Sequence, residues 1–413
     1  MTPELEVCII GGGIVGASTA FYLTHPSDSN QLLPSKVTIV DCLGIAKCAS
    51  GYSGGFMAKD WHGTSTSSLA LHSFKLHQEL AERFNGNQNW GYRKLSALSL
   101  KLIHQTTKLK NEDKFNHQSK LINPDWLESS LKVIENSQIG NEETCAQVHP
   151  KLLTEFLIKK CESLKNVEFK VIKATAKSIL WEPIASDESL NKSSSSVRRK
   201  GRLIALDEDH QEIQINFNEL VLAAGPWSGV LANQLFSSDL NRRLKSVDGM
   251  RAHSIVLRSQ KSISPHALFT HLFITDHQAI KPQWTEPEFY PRPDHTIYIC
   301  GAGDDEPLPA LPSEVKVDKK AISKLKAQAK AVIDPQYLID SDQEVIPTLA
   351  EQACYLPVGQ ALVGRLCPGV LVGTGLGCWG ITLGPGTGHV LASMILNECS
   401  AVSNPDLSQL SPI

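Results

Sequence analysis

The segment Gly11-Gly12-Gly13-Ile14-Val15-Gly16 puts glycine at the first, third and sixth positions of a GxGxxG pattern, directly after the apolar run Val7-Cys8-Ile9-Ile10. In that context each glycine has a task. Gly11 makes the tight turn, Gly13 lets the backbone approach a pyrophosphate, and Gly16 lets a helix pack against the strand. The helix that opens with Ile14 and Val15 offers free N–H groups and its positive dipole end to phosphate. A second apolar run, Val37-Thr38-Ile39-Val40, ends in Asp41, with Cys42 behind it. An acid there would bond ribose hydroxyls and disfavour a 2′-phosphate. The gap from Gly16 to Asp41 exceeds the usual spacing of about twenty residues, and the polar segment 26–36 reads as an inserted loop. This is the chemistry of a dinucleotide cofactor.

The elements that must position these groups are legible in outline. Both short apolar runs have the composition of strands buried on two faces of a parallel sheet. Leu69, Leu76, Leu80 and Phe84 recur at helical spacing, and His149-Pro150 leads into a second amphipathic helix through Leu153, Leu157, Cys161 and Leu164. Phe169–Ile172, a hairpin over 203–206 and 213–217, and Leu220–Ala224 read as strands. A serine-rich insert over 186–202 reads as a loop. Strands are expected over 254–257, 268–275 and 296–300. Their proline-bearing connections, including Pro282 and Pro291, suit an antiparallel sheet. Helices are expected over 319–333 and 387–396.

The chain has 413 residues, 41% apolar and 20% charged, with a net charge of −3. That length exceeds one ordinary core and suggests two or three packed units. The charge balance gives no support to a nucleic-acid partner. Ten cysteines occur without a CxxC pair and read as reduced, largely buried thiols. His266, His271 and His277 lack the further ligands that a metal would need. The stretch 366–397 carries no charge, yet its glycines with Pro368 and Pro385 argue against a transmembrane segment. A first strand within ten residues of Met1 leaves no expected room for a targeting peptide, so the expected location is cytoplasmic.

Three further segments resemble the D-amino-acid oxidase superfamily in order and placement. Ala49-Ser50-Gly51-Tyr52-Ser53-Gly54-Gly55-Phe56 is similar to its flavin-contacting loop. Leu222-Ala223-Ala224-Gly225-Pro226-Trp227-Ser228 is similar to its strand-to-turn signature. Gly373-Thr374-Gly375-Leu376-Gly377-Cys378-Trp379-Gly380-Ile381-Thr382 is similar to its C-terminal glycine segment, and Val148-His149-Pro150 matches the lead into its third helix. The resemblance implies FAD rather than NAD. It adds Ser50, Gly51, Ser53, Gly54, Gly55, Ala176, Ala224, Gly225, Trp227, Gly375, Cys378, Trp379, Gly380, Ile381 and Thr382 to the expected cofactor contacts.

The fold so implied is α/β: an FAD-binding Rossmann-like domain with a second, mostly antiparallel β-sheet substrate domain of α+β type. Residues 1–90, 141–236 and 345–413 would form the first, and 91–140 with 237–344 the second.

Enzymes of this superfamily take hydride from the carbon beside an amine, and many grip an amino-acid carboxylate with an arginine. The corresponding stretch here, Ala353-Cys354-Tyr355-Leu356-Pro357-Val358, has none. Arg292 is the substitute candidate, Arg251 and His253 stand in a segment similar to one lining the family's pocket, and Trp61 with His62 follows the flavin loop. Cys354 lies where some relatives attach flavin covalently, but its offset by one favours noncovalent FAD. The expected activity is that of an FAD-dependent oxidase or dehydrogenase acting on an amine or amino acid. The alternative is a flavin-containing adaptor with a protein partner and peripheral association with endosomes, since the resemblance extends to fungal members linked to late-endosome-to-Golgi transport.

Overall fold

The computed structural model describes residues 4–26, 32–104, 124–183, 198–237, 242–274, 283–301, 303–338, 348–397 and 405–413. Part of the polar segment at 26–36, the serine-rich insert up to residue 197, His277, Pro282 and Cys399 lie outside the described residues.

The apolar runs of the N-terminal half form the middle of an eight-stranded sheet. Its order is Glu212–Phe217, Gly201–Asp207, Glu168–Trp181, Lys36–Asp41, Glu6–Ile10, Glu219–Leu222, Val370–Thr374, Leu362–Cys367. The five strands from Glu168–Trp181 to Val370–Thr374 are parallel, and antiparallel partners close both edges. Burial on both faces explains why these strands lack a polar alternation. Glu6–Ile10 has Lys36–Asp41 on one side and Glu219–Leu222 on the other, so its carboxyl end is a switch point of the topology, where open α/β sheets bind ligands.

The helix Ile14–Thr24 is buried at every residue. It crosses the last helix at short range: a Cβ on Gly384 would come within 2.7 Å of the Ile14 side chain, and one on Gly388 would overlap Ser18. Two glycines one turn apart thus let the helices touch backbone to backbone.

That last helix runs Gly380–Leu396, not from Thr387 as expected, and passes through Pro385. A proline inside a helix gives no N–H to the carbonyl four residues back. Here that carbonyl, of Ile381, accepts from His77 Nε2 at 2.8 Å, and the Gly386 N–H donates to Ser73 Oγ at 2.8 Å. Both props come from the helix Ser67–Arg83, which is how the turn survives the missing bond.

The second large sheet has the order Thr348–Val358, Asp248–Arg258, Thr296–Cys300, Glu288–Pro291, His266–Ile274, Ser96–His104, Lys132–Gly140. It is antiparallel except where His266–Ile274 runs parallel to Ser96–His104. One face packs on the helix Lys319–Val332 through Ile255, Leu257, Leu268, Phe289, Ile322 and Leu325. The other carries Ala97, Val256, Ala267, Tyr290 and Tyr298 against Phe56. The expected division placed 345–413 with the first unit. Instead, Thr348–Val358 pairs along its length with Asp248–Arg258, because it supplies the edge partner that strand requires. Within 366–397 the structure has the strand Val370–Thr374 and the helix Gly380–Leu396, and among the described residues no helix is long and apolar enough to cross a membrane.

Candidate active site

A cleft of about 500 Å³ opens at the switch point, within the range of small-molecule sites. Its floor is the glycine turn. Gly11 has φ +117°, where a side chain is strained, and a Cβ there would overlap the Ala223 carbonyl oxygen; a Cβ on Gly16 would overlap that of Gly11. A Cβ on Gly13 would stand 2.9 Å from Ser50 Oγ, which accepts the Ile14 N–H at 2.9 Å. Asp41 closes one side. Its carboxylate accepts N–H groups from Gly12 (2.7 Å), Leu43 (2.8 Å) and Gly44 (2.9 Å). Burial pushes its pKa up, and those three bonds pull it back.

Cleft walls include Gly11, Gly13, Ile14, Val15, Asp41, Cys42, Ser50, Ser53, Ala176, Ala224, Gly225, Trp227, Gly375, Cys378, Gly380 and Ile381, all expected contacts. Gly380 is the informative one. Its φ is −53°, ordinary for a helix, and a Cβ there would meet nothing within 4 Å. Neither backbone strain nor packing asks for glycine at that position, so the space it leaves fits a group lying against the helix N-terminus. A Cβ at Gly225 or Gly377 would also meet open space. These are the features of a cradle for a flat cofactor, and the residues present fit FAD.

Other expected contacts serve the walls from behind. Gly16, Gly51, Gly54, Gly55, Trp379 and Thr382 do not line the cleft. A Cβ on Gly51 would overlap the Ala46 carbonyl oxygen, one on Gly54 would run into Tyr290 with Tyr298 at 2.8 Å, and one on Gly55 would overlap the Val148 oxygen. These glycines let the flavin-type loop sink against its neighbours.

Arg292 is buried, and its guanidinium donates to the carbonyls of Ser53 (3.1 Å) and Gly54 (3.4 Å) under the Tyr298 ring. It is a positioning residue for that loop and does not face the cleft. Arg251 is likewise occupied: its Nε donates to both oxygens of Asp304 at 2.9 and 3.0 Å. His253 Nε2 accepts the Asp318 N–H at 2.9 Å on the face covered by Lys319–Val332. Neither reaches the cleft, because both side chains point to the helix-covered face of the sheet together with Ile255 and Leu257.

Arg251 instead fastens a loop that sequence reading passed over. Tyr355 Oη donates to the Pro307 oxygen and Trp227 Nε1 to that of Pro309, each at 2.8 Å, and Ala310, Leu311 and Pro312 become cleft wall. Leu356 and Pro357 also line it, but Cys354 does not. The only signal was a run of prolines, which fits any irregular segment.

An aromatic cluster packs around Phe56 and includes Trp379, the neighbour of the cleft residue Cys378. Phe56 has Trp61 at 5.2 Å, Phe269 at 5.1 Å, Tyr290 at 5.5 Å and Trp379 at 6.5 Å between ring centroids. Trp61, Phe269 and Trp379 are half-buried. His62 stands 4.7 Å from the Trp379 ring. Its Nε2 donates to the Ala58 oxygen at 2.8 Å, which leaves Nδ1 with its lone pair, buried and without a partner. Burial, the main cause, lowers the pKa of this imidazole. So the structure groups Trp61 and His62 with Phe56, Phe269, Tyr290 and Trp379, and neither these residues nor Arg251, His253 and Arg292 line the cleft.

Comparison with known proteins agrees with this geometry. A family model described as FAD dependent oxidoreductase (DAO) matches residues 6–394. The Schizosaccharomyces pombe protein named "Putative oxidoreductase C1F5.03c" is 31% identical over 98% of both chains. Among solved structures, glycine oxidase from Geobacillus kaustophilus aligns over 99% of both chains with a TM-score of 0.64 and 17% identity. Iminodiacetate oxidase from Chelativorans sp. BNC1 aligns over 98% of both with a TM-score of 0.60 and 18% identity, a likeness of fold.

Proposed function

The chain belongs to the DAO family of FAD-dependent oxidoreductases, and from that premise we propose that it oxidises the carbon–nitrogen bond of an amine or amino acid. FAD, when bound, accepts the hydride, and the two electrons that go with it, from the carbon beside the nitrogen. The protein has to hold that carbon near the cofactor and relieve the nitrogen of a proton, since an ammonium has no lone pair to assist hydride loss. The observation that carries the reading is His62. Its Nδ1 is buried without a partner against the ring of Trp379, which stands between the cleft residues Cys378 and Gly380, and burial favours its neutral form.

The remaining residues support a division of labour. Gly11–Gly16 and Asp41 would hold the dinucleotide end, and Gly375–Ile381 the flavin end. Noncovalent binding is favoured: Cys354 is not on the cleft wall, and burial pushes its thiol up to about 12, away from the reactive thiolate. The same reading divides the chain into a cofactor unit and a substrate unit, with Thr348–Val358 in the second.

The test is anaerobic. Protein loaded with FAD is mixed with a panel of amines and amino acids, and flavin bleaching is followed by absorbance. Bleaching by members of the panel is expected. Its absence across the panel, with full flavin content, overturns the reading and returns weight to an adaptor. Acid precipitation should release the flavin into the supernatant; flavin in the pellet contradicts noncovalent attachment.

A further inference from the structure

One stretch of the cleft wall is the tip of a loop. Ala310, Leu311 and Pro312 line the cleft, and they belong to a segment, 304–316, whose two feet meet on a single side chain. At the first foot Arg251 Nε donates to both Asp304 oxygens, at 2.9 and 3.0 Å, and the Asp304 N–H donates to the Arg251 carbonyl at 2.9 Å. At the second foot Arg251 Nη1 donates to the Lys316 carbonyl at 3.3 Å. A surface loop with adjoining ends is thereby closed by one guanidinium.

Between its feet the loop is held by few bonds. Pro307, Pro309 and Pro312 have no N–H to give, and among the described residues 305–309 pair with no strand. Tyr355 Oη donates to the Pro307 oxygen and Trp227 Nε1 to that of Pro309. Leu311, at the tip, is exposed although it lines the cleft. The glycine turn and Gly373–Thr374, also cleft wall, instead continue strands in the middle of the first sheet. Shifting them would break strand pairing, whereas the loop can swing away at the cost of a few side-chain bonds.

We infer that the loop 304–316 is the gate through which FAD enters and leaves, and that Arg251 is its latch. Arg251 does not line the cleft; it is a positioning residue, acting through the loop. A latch sets the balance between a closed and an open state, so its loss speeds passage in both directions. A plain wall contact, once lost, speeds release alone. The inference rests on FAD binding and not on amine oxidation, so its test needs no substrate.

Release is followed by the change in flavin fluorescence after dilution of the holoprotein, and binding by the change on mixing apo protein with FAD. Arg251→Met is expected to raise both rate constants about tenfold or more, the factor that goes with losing a charged hydrogen bond. Arg251→Lys, which puts a single ammonium in place of the fork, should fall between the two. Tyr355→Phe removes one hydroxyl from the loop's hold and leaves the feet intact, so it should act in the same direction more weakly. Unchanged rates in Arg251→Met, or faster release with unchanged binding, overturns the gate. Should Arg251→Met fail to fold by thermal melting, Tyr355→Phe decides: acceleration of both steps supports the gate, and any other result overturns it.

Discussion

The cleft and the aromatic cluster are joined through consecutive residues, Cys378 on the cleft wall and Trp379 in the cluster, but are built of different material. The cleft is rich in glycine: Gly11, Gly225 and Gly377 with positive φ line it, together with two helix N-termini and one carboxylate tied to three N–H groups. The cluster is made of side chains, and its rings come from three separate stretches of sequence around residues 56–62, 269–290 and 379. A cofactor held by backbone tolerates few changes, because glycines such as Gly11 and Gly16 are fixed by a neighbouring carbonyl. A cluster of packed side chains can be altered one substitution at a time.

The sharpest way to break that contrast is at Gly16. Gly16→Ala drives a methyl into the Gly11 carbonyl and within 3.2 Å of Ile9. A loss of about 3 kcal/mol or more is expected with loss of bound flavin, read by thermal melting and absorbance. Normal stability would mean the turn is not the tight device described.

His62→Asn tests the aromatic cluster. It should slow flavin reduction by the best amine about 100-fold and leave flavin content unchanged. In the wild type the lowered imidazole pKa places the neutral, proton-accepting form above it, so the rate should fall as pH drops through that value. The variant should lack this acid limb.

Arg292→Met should cost about 2 kcal/mol in urea denaturation, by stranding the Ser53 and Gly54 carbonyls. Unchanged stability with a raised KM would instead restore it as a substrate-gripping residue. The smallest effect belongs to Gly380→Ala. The apo protein should gain up to about 1 kcal/mol from helix propensity, while flavin affinity falls. A variant that is both more stable and equally tight for flavin would mean that nothing lies against that helix end.

What the sequence disclosed follows the same line. Gly11–Gly16, Asp41 and Gly373–Ile381 could be located because backbone geometry restricts which residue can stand there. The central strands were recognisable because burial on both faces leaves an unbroken apolar run. Phe269 and Tyr290 could not be grouped with Phe56 that way: their alternation marks strands, but which face they share depends on a sheet pairing set by distant residues. Arg292 misled for the same reason. It was the candidate to grip a substrate carboxylate, yet its guanidinium donates to carbonyls more than two hundred residues earlier. The start of the last helix was missed at Pro385 because the compensating donor and acceptor, His77 and Ser73, sit on another element.

That last arrangement bears on how the sequence could have been reached. With Pro385 present, the Ile381 carbonyl depends on His77; the substitution Pro385→Ala would give it a helical N–H of its own. His77→Leu should therefore cost about 1–3 kcal/mol alone and clearly less in a Pro385→Ala background, a non-additivity that a double-mutant cycle measures. If it does, the two changes had a permitted order. An ancestor acquiring the histidine first could accept the proline afterwards, whereas one acquiring the proline first would have carried a broken helix at the mouth of its own cofactor site.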